Sequence, residues 1–64
     1  MTSLSATDVV ELECLRSVAH GEGLPDGCDA AGYLDRHLIH ELSGRMALTH
    51  QGRERLADLQ ALAR

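Results

Sequence analysis

Between Asp8 and His20 the apolar positions return every three or four residues. Placed at about 100° per residue, Val10, Leu12, Cys14, Leu15, Val18 and Ala19 fill one broad arc, and Glu13, Arg16, Ser17 and His20 share the other. Ser5 followed by Asp8 three positions on has the form of a capping box, so the pattern predicts a helix from about Thr7 to His20, with Gly21 as its stop. Glu11 falls inside the apolar arc. It is either an acid placed near the helix start, where the dipole favours it, or the mark of a tertiary contact.

The stretch Gly21 to Gly27, GEGLPDG, joins three glycines to the only proline and reads as a turn-rich connection. Asp26 can cap a second helix running to about His37, with Ala30, Ala31, Leu34 and Leu38 on its apolar side. Asp29, Gly32, Tyr33, Asp35 and Arg36 are expected to face outward. From Leu38 the period changes. LIHEL and RMALT are short mixed runs flanking Ser43-Gly44, the signal of a tight hairpin in which Leu42 faces Arg45 and Ile39 faces Leu48. The inward set of that register is Ile39, Met46 and Leu48. Thr49 caps a last helix whose stripe is Gly52, Leu56, Leu59 and Ala63, and a glycine in such a stripe predicts close approach of another backbone.

The fold class that follows is mostly α with a small β-hairpin: about three helices plus a two-stranded antiparallel unit, in one domain covering residues 1–64. The chain has 64 residues and a single aromatic, Tyr33, so its core must be aliphatic and its stability small. No apolar run reaches the ~20 residues a membrane span needs, and the N-terminal MTSLSATDVVELE lacks the basic start and apolar centre of a signal peptide. A cytoplasmic protein that does not enter a membrane is the expectation.

The net charge of −4 is unevenly spread. Met1 to Asp35 holds seven acids and one base, whereas Arg36 to Arg64 holds five bases and three acids. The basic half is the half with the hairpin. Every base is arginine, for which coding bias is a simpler explanation than selection for bidentate donors.

The string LDRHLIHELSGRMALTHQGRERL resembles the C-terminal part of winged-helix (winged helix-turn-helix) domains, as found in many bacterial regulators. The matching positions are Leu34, Leu38 with Ile39, Gly44 with Arg45, Leu48 with Thr49, Gly52 and Leu56. The resemblance implies a winged-helix-like scaffold, DNA binding and transcription regulation. On it, Arg45 at the wing tip, Arg53 and Arg55 at the start of the last helix, and Arg36 become the candidate DNA contacts, set to phosphates or a minor groove. Upstream the chain departs from the pattern. A winged helix has two helices between its first helix and its wing, and here only about ten residues follow the Gly/Pro loop.

Cys14 and Cys28 have 13 residues between them and form no Cys-x-x-Cys pair, which is poor zinc spacing and reads as two buried free thiols in a cytoplasmic chain. His37 and His40 straddle a helix-to-strand boundary with no third or fourth ligand, and His20 and His50 read as helix-end residues. No metal or cofactor is expected. No nucleophile–base pair, phosphate loop or paired-carboxylate motif stands out, so enzymatic activity is not expected. Two readings result. One is a small DNA-binding regulator using the four arginines; the other is a non-enzymatic protein-interaction module on the same scaffold. The latter would meet a protein partner or form a homodimer through the C-terminal helix, where Leu62 lies beside the buried stripe.

Overall fold

A computed structural model describes residues 4–63. The elements run α1 (Ala6–Ala19), α2 (Ala30–Asp35), β1 (Ile39–Leu42), β2 (Arg45–Leu48) and α3 (His50–Leu62). This is the expected class of three helices and a two-stranded antiparallel hairpin. Among the described residues no helix is long and apolar enough to cross a membrane.

α1 begins as its sequence predicts. Ser5 is the N-cap, and its hydroxyl accepts the Asp8 amide at 3.1 Å. At the other end the Gly21 N–H donates to Val18 O and the Glu22 N–H to Ser17 O, the paired bonds of a Schellman stop. The buried residues of α1 are Glu11, Leu12, Cys14, Leu15 and Val18, whereas Val10 and Ala19 are exposed. The buried arc is therefore rotated from the predicted one, with an acid where Val10 was expected.

α2 differs most from expectation. Asp26 caps nothing: it lies in a turn with Gly27, whose φ of +90° is incompatible with a helix. Asp29 is the N-cap instead, its carboxylate accepting the Gly32 amide at 3.1 Å, and the helix has only six residues. Two neighbouring residues also change sides, while Leu38 is buried and Asp29, Asp35 and Arg36 are exposed as expected. Tyr33, expected outside, is 5% exposed and belongs to the core, while Leu34, expected inside, is 42% exposed. Arg36, one turn beyond Tyr33, is held against α1, and this turns the Tyr33 side of α2 inward. A second Schellman stop ends α2, from Leu38 N to Tyr33 O and from His37 N to Leu34 O, with His37 at φ +60° in the position usually given to glycine.

Cys14 and Cys28 are joined in a disulfide, which corrects the expectation of two free thiols. Cys14 is buried in α1, and the irregular path from Gly21 to Asp29 folds back to bring Cys28 within a Cα separation of 6.3 Å. Sequence spacing could not reveal that return. Closing a loop of sequence separation 14 removes unfolded-state freedom equivalent to about 3 kcal/mol. Disulfides persist chiefly in oxidising compartments, so the pairing removes cysteine usage as an argument for a cytoplasmic address.

The hairpin has the predicted register, Ile39 opposite Leu48 and Leu42 opposite Arg45. Ser43 and Gly44 both have positive φ, +51° and +79°, as a type I′ turn requires. Ile39 and Leu48 are buried and Met46 is half-buried against them, so the inward set is as expected. At the hairpin base Thr49 joins three elements: its N–H donates to Leu38 O, its hydroxyl donates to His37 O, and the same hydroxyl accepts the Gly52 amide at 3.0 Å. Leu12, Leu15 and Val18 of α1 meet Leu56 and Leu59 of α3 over Leu38, Ile39 and Leu48 in one core.

Gly52 is where α3 crosses the Leu38 carbonyl. A Cβ there would overlap the carbonyl oxygen and lie 2.9 Å from its carbon, a clash with backbone that no rotamer relieves. Gly52→Ala should therefore destabilise the fold by about 2 kcal/mol or more despite the better helix propensity of alanine. Urea unfolding of the two proteins checks this, and a stabilised variant would contradict the close approach.

Candidate binding groove

The four arginines expected to hold DNA fall into two pairs. Arg36 at the C-cap of α2 and Arg55 in α3 both turn to Glu11, whose carboxylate is buried in α1 at 2% exposure. Arg36 donates Nη1 to Oε1 at 3.2 Å and Nη2 to Oε2 at 3.4 Å, a bidentate fork. Arg55 donates Nε to Oε2 at 2.6 Å and Nη2 to Asp8 Oδ1 at 3.3 Å. The first alternative for Glu11, a helix-start acid, is thus secondary to the second, a tertiary contact.

These contacts hold the Arg55 guanidinium above its ordinary value, chiefly through the hydrogen bond it donates to Glu11, which outweighs the opposing effect of burial, and further through the charges of Glu11, Asp8 and Asp58. Tyr33 is pushed above its ordinary 10.0, first by burial and then by the Glu11 and Asp29 carboxylates, with Arg36 opposing. Tyr33, Arg36 and Glu11 border a small concavity of about 340 Å³ with Val10 and Asp29. Sequence reading placed Tyr33 outside and missed this cluster; the acid inside an apolar arc was its only signal.

Arg45 and Arg53 are different. Both are exposed, and among the described residues neither makes an ion pair. Arg45 opens β2 at the hairpin tip and Arg53 lies in the first turn of α3, where the Thr49 cap directs the helix away from the strand. They line one open groove of about 790 Å³, within the range of ligand-binding clefts. Its apolar floor comes from Val18, Met46, Leu48 and Leu56, and its far wall is the loop Gly21 to Gly23, where Glu22 is the one acid that lines it. The groove thus brings Arg45 and Arg53 together, and Arg36 and Arg55 take no part in it.

Comparison with family models, with curated proteins and with solved structures returned no match.

Two measurements follow from the charged cluster. Glu11→Gln keeps the shape of the side chain but removes the charge that both guanidiniums address, and should cost about 2 kcal/mol in denaturant unfolding. The arginines can turn to water, which keeps the loss below that of a wholly buried pair. Tyr33 is the only tyrosine, so phenolate absorbance reports it alone. Its folded value lies above its unfolded one, so its contribution to stability is complete below pH 10.0 and falls as pH rises from there through the folded value. The absorbance midpoint should sit above 10.0 in buffer and return towards 10.0 in urea, and Tyr33→Phe should remove that share of the alkaline loss.

Proposed function

We propose that this chain is a non-enzymatic interaction module that holds a protein partner in the groove between its hairpin and α3. The observation that carries the reading is the division of the arginines. Arg36 and Arg55 are engaged with Glu11, and the remaining pair flanks an apolar floor. A duplex presents a dense row of phosphates and rewards many cations without counter-charges, whereas an apolar floor with two cations at its rim suits a mixed protein surface. The short α2 argues the same way: its exposed residues include Asp29 and Asp35, and six residues leave little helix to enter a major groove.

Arg45 and Arg53 on a single groove favour a second reading, a DNA-binding regulator on a winged-helix-like scaffold. The expected homodimer rests on another surface, since Leu62, 40% exposed near the end of α3, is not among the groove residues.

Anisotropy titration against random duplex DNA from about 50 to about 200 mM salt separates the two readings. The interaction-module reading expects no saturable binding even at the low end. Binding with a steep salt slope, reduced by about one for each of Arg45→Ala and Arg53→Ala, would establish the DNA reading instead.

A further inference from the structure

The groove borders β2 along its whole length: Arg45, Met46, Ala47 and Leu48 all line it, together with Gly44 of the turn. Side chains of a strand alternate between two faces, so a groove lined by all four residues of β2 runs along an edge of the strand, and Leu42 of β1 reaches it only next to the turn. The other edge of β2 is occupied by β1. The turn decides which backbone groups the open edge presents. A two-residue type I′ turn makes Leu42 and Arg45 a hydrogen-bonded pair, and alternation along the ladder makes His40 and Ala47 the next. Met46 and Leu48 then direct both N–H and C=O away from β1, into the groove. Among the described residues these groups have no backbone partner in any turn, loop or cap.

We propose that the groove accepts an extended segment of a partner protein as a third strand on the free edge of β2, and that the segment is acidic with apolar residues at alternate positions. The proposal rests on the protein-interaction reading above. Main-chain pairing to Met46 and Leu48 would supply affinity that no side chain of the partner need provide. Alternate side chains of the added strand would descend onto Val18, Leu48 and Leu56, and the remainder would lie in the field of Arg45 and Arg53. Charge complementarity selects the acid. The groove carries two arginines without ion pairs against Glu22, so an acidic segment meets opposite charge and a basic one is repelled. An unprotected strand edge otherwise invites indiscriminate pairing, and the two arginines would restrict which segment is admitted.

The test uses the full oxidised chain and an acetylated heptapeptide alternating valine with aspartate and glutamate, followed by amide NMR and hydrogen exchange. The Met46 and Leu48 amides should shift on titration and exchange about tenfold or more slowly in the complex. The same peptide with lysine at every acidic position, and the Arg45→Ala/Arg53→Ala double variant with the acidic peptide, should each bind about tenfold more weakly or worse. Both arginines are exposed, and circular dichroism checks that the variant is folded. A strand pairs through alternate residues, so of two further peptides, methylated on the valine or on the acidic backbone nitrogens, one should lose binding by about tenfold or more.

Shifts confined to the groove with no effect of charge or methylation would overturn strand addition and leave the protein-interaction reading standing. Shifts elsewhere, or no binding by the peptide, would overturn this proposal. So would protection of Met46 and Leu48 without peptide, in a chain that sediments as a dimer, because it makes a second copy the occupant. Random duplex DNA shifting these amides while the peptide does not would overturn both readings.

Discussion

One carboxylate, that of Glu11, sets the mutual placement of the three helices. A charge inside a small aliphatic core costs several kcal/mol unless it is met by opposite charge and hydrogen bonds, and here it is met by two guanidiniums from segments 25 and 44 residues further along the chain. Arg36 fixes the end of α2 against α1, and Arg55 fixes α3 against the same turn. The bidentate fork of Arg36 and the Nε contact of Arg55 leave each carboxylate oxygen with a donor, so the buried anion is compensated. Asp8, one turn earlier on α1, takes the remaining hydrogen bond of Arg55 and extends the pair into a network. The consequence for α2 is direct: Tyr33, the one aromatic residue, is turned into the core beside the ion cluster while Leu34 is left outside.

The junction between the hairpin and α3 depends on backbone contacts. Thr49 and Gly52 close the base of the hairpin onto α3, and the Leu38 carbonyl serves both, accepting the Thr49 amide and lying where a side chain of residue 52 would stand. This junction sets the angle at which α3 leaves the strand, and so opens the groove between β2 and α3. The disulfide acts at the third corner, tying the path from Gly21 to Asp29 to α1. Part of that path, Gly21 to Gly23, is the far wall of the groove. A chain of 64 residues with so few large side chains has little burial to spend, and these three ties occupy places where larger domains rely on packing alone.

The arginines show how composition and function can diverge. Counted along the chain, they make the second half basic and suggest a surface for phosphate. In three dimensions two of them neutralise a buried acid, and among the described residues of that half the arginines without an ion pair are Arg45 and Arg53, which line an apolar cleft. A groove that combines two cations with an aliphatic floor suits a mixed protein surface better than a duplex, and the proposed function rests on that division of the arginines.

The local rules were legible in the sequence. The Ser5 and Thr49 caps, the turn at Ser43-Gly44 with its register, and the approach of backbone to Gly52 all follow from interactions within a few residues or from a single missing Cβ, and the structure has each of them. α2 was not legible, because its start, its length and its buried face depend on Arg36 reaching Glu11 and on Cys28 reaching Cys14. Both contacts cross a glycine-rich loop whose path no periodicity records. The acid in the apolar arc of α1 signalled that a partner existed without naming it. The sequence by itself therefore determined where α1 and α3 begin and where the hairpin turns, since those are local hydrogen-bonding choices. Only the tertiary structure decided which charges are neutralised and which remain at the groove, since that is a matter of long-range pairing between chain segments.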